Sequence, residues 1–310
     1  MNESVTVLDA IKTLYRKLFE LEQWRVGMVD QTLAEVLQFG IRSERVAWFP
    51  CHRYDFIADP FLFSLKGKPY LACEIFNYFS AKGKLRCYDL NGQEYPFFDE
   101  VNRVKGHKSY PLVFEHDGEI YLIPETSDLN AVSLYQFDEQ KQRFIWQQHL
   151  IEGKDFVDTS IIQEDGYWYL FTSSAQDPYT QRLFVSESLT GVFSEHPQSP
   201  ICCHRLGGRN GGAILRDHHQ LYRFGQNGVG GYGKSLLVIK IEQLTPTQYQ
   251  ESAVRELTGV SPYIDGLHTF ACSGEHIVID AKKHTYFLSN LFKKIVFKCL
   301  ERLNIERRYH

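Results

Sequence analysis

The chain has 310 residues, a formal net charge of −4, and 14% aromatic side chains within a hydrophobic fraction of 43%. This composition excludes a disordered or linker-rich chain. No basic field and no helix with clustered Arg and Lys suggests nucleic acid as a partner.

At the start of the chain, Met1-Asn2-Glu3-Ser4 lacks the basic-then-apolar opening of a secretory signal, and no run approaches the ~18 apolar residues of a membrane span. The cysteines at 51, 73, 87, 202, 203, 272 and 299 are scattered and show no CxxC spacing. Both features predict a cytoplasmic location. Residues 5–22 place Leu8, Ile11, Leu14, Tyr15, Leu18 and Leu21 at helical spacing, so an amphipathic N-terminal helix is expected over residues 1–23.

From residue 24 to 284 the sequence repeats itself. Four segments share an alternating apolar run, a tight polar turn and a second alternating run that ends in a polar residue. They begin at Asp59-Pro60-Phe61, Tyr110-Pro111-Leu112, Asp158-Thr159-Ser160 and Gly211-Gly212-Ala213. A fainter fifth copy begins at His268-Thr269-Phe270. Alternation marks strands, and Asp-Gly pairs such as Asp117-Gly118 and Asp165-Gly166 mark hairpin turns. The hairpins recur at roughly 50-residue intervals, as propeller blades do. The runs Leu85–Leu90, Val132–Phe137, Leu183–Ser186 and Ser235–Ile241 supply third strands. The expected fold is an all-β, five-bladed β-propeller with amphipathic helices at both ends; the alternative is a sandwich of unrelated hairpins.

The first residue of each opening strand and the last of each returning strand lie at one end, which can face a central funnel. These positions collect Asp59 with Glu74, Tyr110 with Glu125, Asp158 with Ser173 and Ser174, Gln226, and His268 with Asp280. Carboxylates brought together repel and lose solvation, so their clustering points to a ligand site. Glycosidic chemistry needs one carboxylate at the sugar carbon and one acid at the departing oxygen. Asp59, Glu125 and Asp158 are the catalytic candidates. A purely structural role for them would be to accept hydrogen bonds from backbone amides where strands enter the channel. Tyr54, Phe56, Tyr78, Tyr110 and Trp168 are candidate sugar platforms, against the commoner reading of blade packing.

Two glycine-rich stretches follow. In Leu206 to Gly212 the backbone has room to approach a ligand, with Arg209 at hand for a carboxylate or phosphate. Gly228 to Gly233 reads as a mobile loop. Neither is a P-loop or a dinucleotide turn, and there is no GxSxG. Cys202-Cys203-His204 and His218-His219 place neighbours on opposite strand faces, so neither set converges on a metal. No cofactor and no metal ion is expected. In residues 285–310, Leu288, Leu291, Phe292, Ile295, Val296, Cys299 and Leu303 form an apolar face beside Lys293, Lys294, Lys298, Arg302, Arg307 and Arg308. Such a helix suits an anionic membrane surface, and equally the propeller rim or another subunit.

The ordered set Trp24-Arg25-Val26-Gly27, Ala58-Asp59-Pro60-Phe61, Ser109-Tyr110-Pro111, Ile123-Pro124-Glu125, Asp158-Thr159-Ser160, Tyr222-Arg223-Phe224-Gly225-Gln226-Asn227 and Tyr232-Gly233 resembles the N-terminal propeller domain of the glucosamine inositolphosphorylceramide transferases and its bacterial relatives. The resemblance covers most of residues 24–270. That family looks like the five-bladed propellers of arabinanase-type, invertase-type and levansucrase-type glycosidases, whose first blade carries an Asp-Pro pair with a catalytic aspartate. By resemblance Asp59 would be nucleophile or general base, with Asp158 and Glu125 as stabiliser and acid. Glu74, Tyr110, Arg209, Arg223, Gln226 and His268 are the candidate substrate contacts. The expected function is making or breaking a glycosidic bond in surface-polysaccharide or glycolipid assembly, on a glycan or nucleotide-sugar substrate at the inner membrane face. The alternative is a propeller that binds glycan without turning it over.

Overall fold

A computed structural model describes residues 7–51, 55–80 and 82–308; Tyr54 lies outside them. Five antiparallel sheets form the blades of a propeller. From the axis outward, blade I is Asp55–Leu65, Lys68–Asn77, Lys82–Asp89 and Glu94–Tyr95. Blade II is Ser109–His116, Glu119–Glu125, Ala131–Asp138 and Arg143–Glu152. Blade III is Phe156–Glu164, Tyr167–Ser174, Asp177–Ser186 and Ser194–Glu195. In blade IV the inner strand is broken into Leu206–Asn210 and Leu215–Asp217, followed by Gln220–Asn227, Ser235–Leu244 and Tyr249–Thr258.

Blade V is assembled from both ends of the chain. Its inner strands are Gly266–Ser273 and His276–Tyr286, and its outer strands are Glu20–Val29 and Val46–Trp48. The ladder runs unbroken from Glu20↔Tyr286 to Val29↔Ile277, which closes the ring and leaves no open sheet edge between first and last blades.

Among the described residues four α-helices lie outside the sheets: α1 (Val7–Phe19), α2 (Leu33–Phe39), α3 (Asp99–Arg103) and α4 (Leu288–Arg308). Helix α1 ends before Glu20 because the following residues find ladder partners in blade V; Leu21, read as part of the helical face, pairs with Thr285. The boundaries expected at 24 and 284 therefore fall inside paired strands. Helix α2 starts at a capping box, with the Thr32 hydroxyl accepting from the Glu35 amide at 3.2 Å and the Glu35 carboxylate accepting from the Thr32 amide at 2.8 Å.

Aromatic rings weld neighbouring blades. Phe61 meets Tyr110 at 4.8 Å between blades I and II, Phe114 meets Trp168 at 6.0 Å between II and III, and Phe224 stacks on Phe270 at 4.6 Å between IV and V. Phe61, Tyr110, Trp168, Phe224 and Phe270 are buried. Each such ring contributes roughly 2–3 kcal/mol of burial, so blade-to-blade packing rather than the ladders sets the angle between sheets. Trp168 is committed to this packing, with Phe114 and His116 against it; it offers no surface to a sugar.

Candidate functional site

The same backbone device recurs at the mouth of the funnel. In blades I, II and III the ladder slips between Ala58 and Phe61, between Ser109 and Leu112, and between Val157 and Ser160. At each slip one residue takes a left-handed conformation: Asp59 at φ 49°, Tyr110 at φ 45° and Asp158 at φ 47°. None is a glycine, so each bulge carries about 1–3 kcal/mol of strain that the surrounding packing must hold. Strain of this kind concentrates at functional sites.

The bulges free backbone amides from their ladders, and carboxylates of the preceding blade accept them. The Asp59 amide donates to Asp280 Oδ2 at 2.8 Å, the Tyr110 amide to Asp59 Oδ2 at 3.2 Å, and the Asp158 amide to Glu125 Oε2 at 3.3 Å. These bonds pass from blade V to I, I to II and II to III, so the acids also stitch the ring together.

Around this circle the charges are crowded. Asp59, Glu74, Asp158 and Asp280 are buried and Glu125 is half-buried. Burial, with Asp280 and Asp158 adding to it and His268 opposing, raises the Asp59 carboxyl to about 6. Burial pushes Glu125 well above the carboxylate range; the Asp158 charge and a hydrogen bond to the Asp158 carboxylate push the same way, while Arg209 pulls against them. Glu125 thus holds its proton more tightly than an ordinary carboxyl. Glu74 is also held well up, first by burial and then by Asp59 and Glu125. Beside it, His107 Nδ1 accepts the Gly83 amide at 2.9 Å, so its hydrogen sits on Nε2, 3.3 Å from Glu74 Oε1. Burial lowers this imidazole to about 4, so it is neutral at pH 7 and adds no positive charge beside Glu74.

Three cationic or amide groups balance the ring. Arg209 donates through Nε to Asp158 Oδ2, and its guanidinium lies 5.4 Å over the Tyr232 ring. Gln226 Nε2 reaches the same carboxylate oxygen at 3.1 Å. His268 places Nδ1 2.7 Å from Asp280 Oδ1 and Nε2 3.4 Å from Asp59 Oδ1. Burial opposes its charge, but Asp280 and Asp59 outweigh burial and hold the imidazole above its ordinary value. One buried oxygen beside this ring, Gln226 Oε1, has no hydrogen-bond partner among the described residues.

These shifts give pH dependence one sign. Folded-state values above the unfolded ones, for Asp59 and for His268 alike, mean that their stabilisation is complete below the unfolded value and is lost as pH rises through the folded one. For Asp59, shifted from 3.8 to about 6, the loss is on the order of 2–3 kcal/mol. The melting temperature is therefore expected to fall as pH rises from about 4 to about 6 through Asp59, and further above 6.5 through His268, and Asp59→Asn to flatten the lower part of that profile. A profile unchanged by Asp59→Asn would show that Asp59 does not titrate in this window.

The structure brings Asp59, Glu74, Glu125, Asp158, Arg209, Gln226 and His268 to one end of the funnel. Two expected substrate contacts are corrected. Tyr110 is buried to 0% exposure, its ring wedged on Phe61; its hydroxyl lies 3.0 Å from Ser160 Oγ, donates to the Gly212 carbonyl and accepts the Gly212 amide at 2.8 Å. Its function is to clamp blades II, III and IV together. Arg223 is equally enclosed, forked onto Glu251 with its remaining donor 2.8 Å from the Gly207 carbonyl, because its position on the strand faces the blade interior while Gln226 faces the funnel. Two residues were missed. Trp24, on the closing strand, packs 4.0 Å from the His268 ring, and Tyr232 lies 5.3 Å from it on the loop that Gly230, Gly231 and Gly233 allow at positive φ. The aromatic in the middle of a glycine run was the available signal for Tyr232.

Asp59, His268 and Asp280 each offer one ligand atom, all within 4.8 Å of one another, which makes them the cation-capable set among the described residues. In the arrangement seen, the imidazole itself bridges the two carboxylates, so a cation bound by all three would have to take the place of the Nε2 proton.

Residues 44–277 match the family model described as Glucosamine inositolphosphorylceramide transferase 1, N-terminal. The glucosamine inositolphosphorylceramide transferase 1 of Oryza sativa subsp. japonica is 33% identical over 210 residues, covering 64% of this chain and 28% of the rice protein. That of Arabidopsis thaliana is 29% identical over 211 residues, covering 64% and 27%. The chain thus spans about a quarter of the length of the curated relatives it matches. Among solved structures, an exo-beta-1,3-galactanase from Clostridium thermocellum is similar with a TM-score of 0.50 and 16% identity, over 64% of this chain and 49% of that one. This last likeness is one of fold.

Proposed function

This chain belongs to the family of glucosamine inositolphosphorylceramide transferase 1 N-terminal domains, and from that footing we propose that it is a carbohydrate-active protein working at a glycosidic bond in the mouth of its funnel. The observation that carries the reading is the split within the carboxyl ring. Glu125 is half-buried and held well above the carboxylate range by burial and the Asp158 charge, which favours the acid form, while Asp59 sits near 6, close to the pH at which a general base works best. In this reaction Glu125 gives its proton to the departing glycosidic oxygen as the C–O bond breaks. Asp59 either takes the proton of the incoming hydroxyl or bonds to the sugar carbon. Asp158, pinned by Arg209 and Gln226, faces the positive charge that develops there. His268 and Asp280 orient Asp59, and Tyr232, exposed beside the ring and backed by the buried Trp24, supplies aromatic surface. The unpartnered oxygen of Gln226 awaits a sugar hydroxyl.

A second reading, glycan binding without turnover, draws on the amide bonds that Asp59 and Glu125 already accept from the next blade. One screen separates them. Thermal shift against nucleotide sugars, free oligosaccharides and glycolipid head groups is run beside turnover assays, with wild type and Asp59→Asn. The proposal expects a stabilising ligand, product formed by wild type, and none formed by a folded Asp59→Asn protein that still binds. Binding without product in wild type would favour the second reading; no sugar response at all would remove both.

A further inference from the structure

The helices α1 and α4 sit on the mouth side of the funnel. Asp280 marks the mouth, and the turn joining Ser273 to His276 marks the other end. The inner strand of blade V begins at Gly266, opposite Lys282. Its neighbours continue past that point, pairing Gln23↔Lys283, Glu22↔His284, Leu21↔Thr285 and Glu20↔Tyr286. This two-stranded ribbon projects about 13 Å beyond the first residue of the inner strand. Helix α1 runs into the ribbon at Glu20, and α4 leaves it after Tyr286.

The two helices hold each other and blade I. Asn290 Nδ2 donates to the Phe19 carbonyl at 3.0 Å and Lys294 Nζ to the Lys17 carbonyl at 2.9 Å. Phe297 lies 6.1 Å from Phe76, and Phe292 lies 6.2 Å from Phe79. Their apolar stripes nevertheless face solvent: Leu8 is 59% exposed, Ile11 58% and Leu14 57%, with Leu288 at 82%, Phe292 at 60% and Ile295 at 52%. An amphipathic helix in a folded protein ordinarily turns this stripe inward.

Charge identifies what covers it. The two helices carry nine Lys and Arg residues against three carboxylates, within a chain whose net charge is −4. A second copy docking on this face by a two-fold axis would bring like charges together. An anionic lipid surface instead takes both the apolar stripe and the basic flanks. No helix among the described residues is long and apolar enough to cross a membrane. We infer that α1 and α4 form one platform that lies in the surface of an anionic bilayer with the funnel mouth turned toward it.

The test is flotation of the full chain with vesicles of phosphatidylcholine alone or of equal parts phosphatidylcholine and phosphatidylglycerol. Binding is expected only to the anionic vesicles, weakened by salt, and at least tenfold weaker for the surface variant Ile11→Asp/Phe292→Asp. Hydrogen exchange on the bound protein should protect α1, α4 and residues 228–234 while leaving the turns at residues 66–67, 117–118 and 165–166 unchanged. Equal binding to both vesicles, full binding by the variant, protection at those turns, or a dimer that the variant dissociates without any lipid binding would each overturn the inference. Glu125→Gln should float as wild type does, so a failed glycosidic reading and a failed docking reading give different results.

Discussion

An alanine at Gly212 is expected to cost the folded chain about 3–5 kcal/mol. Gly212 has φ 140°, a conformation closed to side-chain-bearing residues, and a Cβ there would stand 1.9 Å from the Phe270 carbonyl oxygen. That oxygen belongs to the backbone of the neighbouring blade, so it cannot rotate away. The clash falls where four blades meet. Gly212 bridges to Phe270 of blade V, and its carbonyl accepts both the Tyr110 hydroxyl of blade II and the Ser160 hydroxyl of blade III at 2.8 Å. Any shift that relieves the clash therefore breaks polar contacts that are buried. Urea unfolding of Gly212→Ala beside Gly230→Ala is the measurement. Gly230 also has a positive φ, 83°, but nothing lies within 4 Å of its missing Cβ, so only backbone strain of about 1–2 kcal/mol is expected there. Equal losses at the two sites would mean that the blade contact at Gly212 adds nothing.

The second large effect concerns turnover. Glu125→Gln is expected to lower the rate on the glycosyl substrate found by the ligand screen by about 10²–10⁴-fold, the usual worth of a positioned acid. Its melting temperature at pH 7 should stay close to wild type. The reason is that burial and the Asp158 charge push Glu125 toward its neutral form, and a neutral amide of nearly the same shape meets the same surroundings. A glutamine can still accept the Asp158 amide through its carbonyl and donate to the Asp158 carboxylate through its NH₂ group. What it cannot do is give up a proton. Loss of activity with loss of stability would instead mark Glu125 as a strut between blades II and III. Unchanged turnover would move the acid to another group, and Glu74, whose carboxyl is also held up, is the one to substitute next.

Much of the candidate site was legible before any coordinates. Asp59, Glu125, Asp158, Gln226 and His268 were found by counting along hairpins, because strand alternation and a shared turn put equivalent residues at one end of each blade. The same count failed for Tyr110 because it treats every opening residue alike. The bulge sends the Tyr110 side chain, longer than aspartate, down to Gly212 and Ser160, where it clamps blades. It also failed for Arg223, which lies three residues before Gln226 and therefore on the other face of the strand, paired with Glu251. The purely structural role weighed for Asp59, Glu125 and Asp158, accepting amides at strand entrances, is present in Asp59 and Glu125 together with their raised values, and Asp280 plays it for the Asp59 amide.

The sequence by itself determined the blades, since each is a run of short-range hairpins whose signals, alternation and Asp-Gly turns, are written within about 50 residues. Only the tertiary structure decided how the ring closes, which side chains share the funnel, and that α1 and α4 stand at its mouth. Glu20–Val29 pairs with residues 277–286 at the opposite end of the chain, and no local pattern in either segment names its partner. The carboxyl values, likewise, depend on burial and on neighbours from up to three other blades. Such terms act through space, and a one-dimensional pattern records only the residue types that will feel them.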